Sequence, residues 1–512
     1  MPQTTRTLGV PVLAPIFAGT FVALLDLSIV IVALPTIQDR LDADVTGVQW
    51  VVDAFVVPLG ALLLSGGALG DRYGRKRIFL GALGLFLAGS VICAAAATLG
   101  VLLAGRVLQG IAAAAIVPGT LSLVTQLEPD PQRRARLIGI WAMVSSLAFI
   151  LGPLLGGALV DTLGWPAIFS INVPIVLAAI AVGMRTIAET ADPEHASLDP
   201  IGQLAAVGAI GTLTYALIEG RDHGWGSGLT IALFAAAAVA AVALILVELP
   251  NQRPMLPVRL FADSRFAIVN TAALALGLGG NGAFFLLSLY LQQACGHSAF
   301  TTGLLTLPMT LAVIPGAKLA GSLTAEHGPR RAMLAGFALT GAALLAMIAI
   351  GADTAYLPIA LLFALAGLGQ GLAIPASMAA ALEIVPRQRS GVGSATVNAA
   401  RQTGTVLGIA VLGTILANHV ESATPAAFAD AFVDGLRPSL LIAGLVVLAG
   451  AALLVAMPAT SRERVTNHGR LSSRRLASRQ PGNVRAVASS QGRPAAPDGR
   501  FNAHDGRGER GP

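Results

Sequence analysis

Three charged side chains interrupt long apolar runs: Asp26, Asp53 and Arg106. A charge inside a membrane costs about 2.5–3.5 kcal/mol or more, so such residues point to function by default. A carboxyl group in a low-dielectric setting takes up a proton more readily than in water, and a nearby arginine opposes this. Two acids and one arginine are therefore the parts of a site that can load and release a proton. The same three residues could also form a fixed ion pair that only secures helix packing. Depth favours a cluster. Asp26 precedes Pro35 by nine residues, Asp53 follows Val48 by five, and Arg106 follows Leu99 by seven. At 1.5 Å per residue these offsets are roughly 13, 8 and 10 Å from one membrane face.

The rest of the chain must supply helices that hold these residues in lipid. The 512 residues are 55% hydrophobic and 12% charged, with a mean hydropathy of +0.74. A soluble protein carries about twice that charge fraction. Spans of roughly 20 apolar residues are read at Val12–Leu34, Val48–Leu69, Ile78–Ala97, Val101–Leu123, Leu137–Val160, Ala167–Met184, Ile201–Ile218 and Leu229–Leu249. They continue at Phe266–Tyr290, Thr302–Leu323, Ala332–Ile350, Leu357–Leu382, Ala395–Leu416 and Leu440–Met457. The expected fold class is an all-α polytopic membrane protein with 14 transmembrane helices, spans 1 to 14. The first run is long and lacks a small-residue cleavage site after it, so it reads as a permanent span. The two cysteines, Cys93 and Cys295, suggest no disulfide or metal framework.

Positive charge orients the spans. Connections after even-numbered spans carry Arg72, Arg75, Lys76, Arg77, Arg133, Arg134, Arg136, Arg185, Arg253, Arg259, Arg265, Arg330, Arg331, Arg387 and Arg389. The opposite connections carry Arg40 and Arg221. Both termini are expected in the cytoplasm, with the chain in the inner (cytoplasmic) membrane. The net charge of +6 resides in the tail, where residues 459–512 hold 11 arginines and four acids; residues 1–458 hold 22 basic and 23 acidic side chains. The tail composition predicts disorder. Its charge suits a solvated extension or anionic lipid headgroups, and it lacks the interleaved aromatics of a nucleic-acid binder.

The sequence repeats. Gly67–Arg77 (GALGDRYGRKR) follows span 2, and Gly321–Arg331 (GSLTAEHGPRR) follows span 10. Without gaps, Gly67 meets Gly321, Gly74 meets Gly328 and Arg77 meets Arg331. Two six-helix bundles follow, residues 1–185 and 265–458, with two inserted helices and their linkers in 186–264 and the tail in 459–512. Duplicated halves suit a rocking transporter with its substrate site at their interface.

These motifs together resemble the major facilitator superfamily, specifically its fourteen-span drug:proton antiporter branch. Leu25–Pro35 (LDLSIVIVALP) is similar to the span 1 signature of that branch, GALGDRYGRKR to the loop motif, and Arg106–Gly110 (RVLQG) to the span 4 motif. Leu151–Gly157 (LGPLLGG) resembles the antiporter motif of span 5, and Arg401–Gly408 (RQTGTVLG) a span 13 pattern. The aromatic-Arg-aromatic run often found after span 5 is absent; Gly164, Trp165, Pro166 and Ala167 stand there. Ala325 replaces, in the second loop, the acid that Asp71 provides in the first.

The resemblance implies Asp26 as the proton-coupling acid with Arg106 as its partner, and Asp53 is added by depth. It implies conformational gating by the turn of Asp71, Arg72, Gly74, Arg75 and Arg77, where Asp71 helps latch the bundles. A helix N-terminus would stabilise that carboxylate. Gly152, Pro153, Gly156 and Gly157 are expected to form a packed gate in span 5, or ordinary glycine-rich helix packing. Gln109, Arg401 and Gln402 either face a substrate cavity or bond between helices. The implied function is alternating-access export of small hydrophobic or cationic compounds in exchange for protons. Alternatives are dedicated export of one metabolite or antibiotic, or a transporter-like sensor. No cofactor beyond the proton is expected. A metalloprotease motif and a P-loop are both missing, and the seven histidines are scattered. The expected partners are a small-molecule substrate, protons and the lipid bilayer.

Overall fold

The backbone of a chain in lipid must satisfy its own hydrogen bonds, and helices do this segment by segment. The computed structural model describes residues 9–191, 199–251, 256, 258–351, 353–385, 390–420, 423–424 and 426–458. Arg253, Arg387, Arg389 and the basic tail lie outside the described residues. Fourteen helices are long and apolar enough to cross a membrane. Spans 1 to 7 are Val10–Leu41, Val45–Tyr73, Arg75–Ala94, Leu99–Leu127, Pro131–Leu163, Ala167–Thr186 and Pro200–His223. Spans 8 to 14 are Gly228–Glu248, Ser264–Ala294, Ala299–His327, Pro329–Ala349, Tyr356–Ile384, Ser390–Val420 and Phe428–Ala456. The face bearing residues 9 and 458 is here the terminal face, and the other the far face.

Span 14 starts three turns before the expected Leu440, at Phe428. Asp430, Asp434 and Pro438 make that stretch read as loop, yet it is helical at the far face. Arg437, which the connection between the expected spans 13 and 14 already held and the count of Arg40 and Arg221 left out, is the third far-side arginine, in contact with Asp434 at 3.3 Å.

The repeat is built into the backbone. Gly74 and Gly328 both adopt positive φ, 104° and 81°, a region that disfavours other residues. Spans 1–6 pack among themselves, as do spans 9–14, and the two groups are called here the first and second bundle. Span 7 packs on span 2 of the first bundle and span 13 of the second, and span 8 packs on span 7. Phe285 and Tyr290 of span 9 are fully buried inside their bundle, and the Tyr290 hydroxyl donates to the Gly351 carbonyl at 2.7 Å.

Across the seam between the bundles, spans 2 and 13 pack together, as do spans 5 and 10. The Gln49 amide donates to the Ile409 carbonyl at 3.2 Å. The Gln293 amide donates to Gln38 at 2.7 Å, and the Phe300 N–H to Asp161 at 3.0 Å. All three bonds lie in the far half.

Candidate functional site

Asp26, in the middle of span 1, is fully buried. Its Oδ2 pairs with Arg106 Nη1 of span 4. Its Oδ1 accepts from Gln109 Nε2 and from Asn172 Nδ2, both at 2.9 Å. Ser90 Oγ also accepts from Gln109, at 3.0 Å, and from Asn172, at 3.3 Å. Spans 1, 3, 4 and 6 thus each contribute a side chain to one polar cage. Gly89 is what lets span 3 come this close, because a Cβ there would lie 2.8 Å from Gln109 Cγ and from the Gly105 carbonyl. Arg106 donates through Nε to the Val51 carbonyl of span 2 at 3.0 Å. Its guanidinium stacks over Phe55, 4.5 Å from the ring centre. Charged hydrogen bonds in such surroundings are strong and geometrically selective.

Asp53 is also fully buried, but neither carboxyl oxygen has a partner among the described residues. It stands apart from the cage. Helical register places it on the face of span 2 that meets span 13, since Gln49 one turn before and Gly60 two turns after both touch that helix. Arg106 connects the two acids: it holds Asp26 directly and the main chain two residues before Asp53.

The other sequence candidates divide. Gln109 belongs to the Asp26 cage and makes interhelical bonds rather than lining a cavity. Gln402 is buried at the seam, its Cβ 3.3 Å from where a Cβ on Gly60 would lie. Arg401 donates to Asn398 at 2.8 Å and leaves its Nε unpaired. Gly152 and Gly156 face span 1, where a Cβ on Gly156 would lie 2.8 Å from the Ile29 carbonyl. Gly157 abuts Ala299 and Phe300 of span 10, and Gly303 abuts the Pro153 carbonyl. The span 5 motif therefore packs toward Asp26's helix on one side and toward the second bundle on the other.

At the end of span 2, Asp71 pairs at 2.7 Å with Arg75, the first residue of span 3, four residues along its own chain. The acid at the N-terminus of span 3 is a different one, Glu189. Its carboxylate accepts from the N–H groups of Lys76 and Arg77 at 3.0 and 3.1 Å. Arg72 stacks on Tyr73. Ser90, Asn172 and Glu189 went unread in the sequence. A single serine or asparagine in an apolar run carries no spacing signal, and Glu189 is distant in sequence from the helix it caps. Among the described residues no cluster of three or more His, Cys, Asp or Glu is arranged for a metal. A pocket of about 700 Å³ on the far face, lined in part by Asp353, Asp430 and Arg437, is separate from the caged acid.

A duplicated helical membrane protein with a caged acid–arginine pair in one half has the form of a transporter rather than an enzyme. The chain belongs to the Major Facilitator Superfamily, which it matches over residues 16–262 and 269–491. A methylenomycin A resistance protein of Bacillus subtilis (strain 168) is 35% identical over 81% of this chain and 89% of its own. The multidrug resistance protein Stp of Mycobacterium tuberculosis (strain CDC 1551 / Oshkosh) is 33% identical over 84% of this chain and 82% of its own. The tetracenomycin C resistance and export protein of Streptomyces glaucescens is 31% identical over 84% and 80%. Among solved structures, an inward-facing, unoccupied bacterial homolog of the human lysosomal transporter Spinster shares the fold. Its TM-score is 0.63, at 19% identity over 87% of this chain and 96% of that one. With these relatives, the chain is a multi-pass membrane efflux transporter.

Proposed function

We propose that the protein is a proton-coupled antiporter that exports small hydrophobic compounds from the cytoplasm by alternating access. The reading places it in the cytoplasmic membrane with its terminal face inward, as the distribution of positive charge asks. The observation that carries it is the contrast between two buried acids in one bundle. One, Asp26, is held by a cation and two amide donors, and the other, Asp53, meets no donor among the described residues. Protonation of Asp26 would weaken its hold on Arg106, whose Nη2 is unpaired and whose Nε grips span 2 near Asp53. A proton arriving at one acid thereby changes the surroundings of the other.

Everted vesicles, whose cytoplasmic face is outward, provide the test, with export read as accumulation of a small lipophilic fluorescent dye in the acidified lumen. Wild-type efflux should collapse on adding a protonophore. Asp26→Asn should abolish gradient-driven efflux at normal expression, and Asp53→Asn should reduce it. Undiminished efflux in Asp26→Asn would sink the assignment.

A dedicated exporter of one antibiotic is the second reading. Relatives named for methylenomycin A, tetracenomycin C and, as a probable transporter, actinorhodin favour it. Resistance to a compound panel separates the two, because a dedicated exporter protects against one structural class alone.

A further inference from the structure

The repeat between the bundles carries the helix packing but not the charge. Gly110 of span 4 abuts the carbonyl of Phe55, and Gly367 of span 12 abuts that of Met309. Phe55 and Met309 correspond under the same alignment that pairs Gly67 with Gly321, so Gly110 and Gly367 correspond too. One turn before Gly110 stands Arg106; one turn before Gly367 stands Phe363, fully buried. Gln109 answers to Ala366. Among the described residues the second bundle repeats neither Arg106 nor Gln109 at these positions.

It has polar groups of its own at mid-depth instead. Asn281 of span 9 donates to Thr405 Oγ1 of span 13 at 2.9 Å, and Thr405 donates to the Arg401 carbonyl at 3.1 Å. Arg401 donates to Asn398 and leaves Nε without an acceptor. Gln370 of span 12 is 7% exposed, and its Nε2 also has no acceptor. That atom lies 3.5 Å from where a Cβ on Gly280 would sit, in the turn beside Asn281. Span 9 is a π-helix over Gly277–Asn281, a distortion that recurs at functional sites. Glycines at 277, 404 and 408 bring spans 9 and 13 into backbone contact there.

The unsatisfied atoms of Arg401 and Gln370 are both donors, and one belongs to a permanent cation. We propose that Arg401, Gln370 and Asn281 form a seat for an acidic oxygen of the transported molecule, a carboxylate or phenolate on a small apolar body. A guanidinium and an amide supply the planar donor set such a group takes. The cargo's anion is then read by the second bundle, away from Asp26 and Asp53, which handle protons in the first. The inference rests on the export reading for its meaning as a transport site, but binding tests it alone.

The purified transporter in detergent is titrated with 1-naphthoate, 1-naphthylmethanol and 1-naphthylmethylamine, following quenching of its four tryptophans. The acid should bind about tenfold tighter than the alcohol or the amine, the scale of one charge-assisted contact. Arg401→Gln should erase that preference, Arg401→Lys should keep part of it, and Gln370→Leu should weaken the acid selectively. Equal affinity for all three compounds in the wild type overturns the seat, as does an acid preference surviving in Arg401→Gln. If Arg401→Gln does not fold, an unchanged acid preference in Gln370→Leu overturns it instead. Acid preference with protonophore-insensitive efflux would remove the proton-coupling reading and keep the seat. Proton-coupled efflux without acid preference would do the reverse.

Discussion

Asp26 owes its place to four neighbours, and only part of that set was legible. The acid and Arg106 stand out because charge in an apolar run is rare. Gln109 showed as one of two alternatives, and its bonds to Asp26 and Ser90 are of the interhelical kind. Asn172 and Ser90 are single polar residues whose role exists only once spans 3 and 6 meet span 1. Hydrogen bonds to a charged group contribute about 1.5–3 kcal/mol. Asn172→Leu should therefore slow dye export by roughly tenfold or more, with expression kept. Arg106→Lys is a sharper case. A lysine has one nitrogen and cannot reach Asp26, Gln109 and the Val51 carbonyl in the arginine's fixed fork. Its efflux should match that of Asp26→Asn in the same vesicles, and near-normal transport would show that charge alone suffices.

Helices set what those residues can do, and their close approaches are specific. Gly156 brings span 5 against the Ile29 carbonyl, three residues from Asp26. A leucine there must push the two helices apart, and overpacking of a close contact costs about 1–3 kcal/mol. Gly156→Leu should lose transport and lower the melting temperature, whereas Gly139→Leu, open to space on the same helix, should change little. Glu189 caps span 3 from the segment after span 6. Removing a cap costs about 1 kcal/mol, so Glu189→Ala should lower the detergent melting temperature slightly while leaving the Asp26 cage intact. Sequence reading assigned Asp71 a latching role, with a helix N-terminus to stabilise it, and left Glu189 unread. The cap comes from 118 residues further on, in a connection no local pattern links to span 3. Span 7 shows the same limit. Its apolar run was clear, but its docking was not: Trp50 donates to Glu219 at 2.9 Å, and Thr414 to the Leu217 carbonyl at 3.2 Å. It touches span 2 and span 13 together, beside the face on which Asp53 lies.

At the scale of the molecule, the count of fourteen followed from hydropathy and charge sidedness, because lipid leaves the backbone few choices. The closed far half of the seam could not be read that way, since either of two arrangements of the bundles satisfies the same sequence. Spans 2 and 13 meet there. The site of a Cβ on Gly413 lies 3.1 Å from Gln49 Cγ, one bond from Gln49 Cβ. The two Cβ positions are then within about 4.6 Å, close to the span of a disulfide. With Cys93 and Cys295 replaced by alanine, the pair Gln49→Cys and Gly413→Cys should cross-link on mild oxidation. If export requires the bundles to part at the far face, the oxidised protein transports nothing and a reductant restores it. Full transport by the cross-linked protein would mean that spans 2 and 13 never separate at this level. Motion would then have to come from spans 5 and 10, where Gly157 and Gly303 form the other contact.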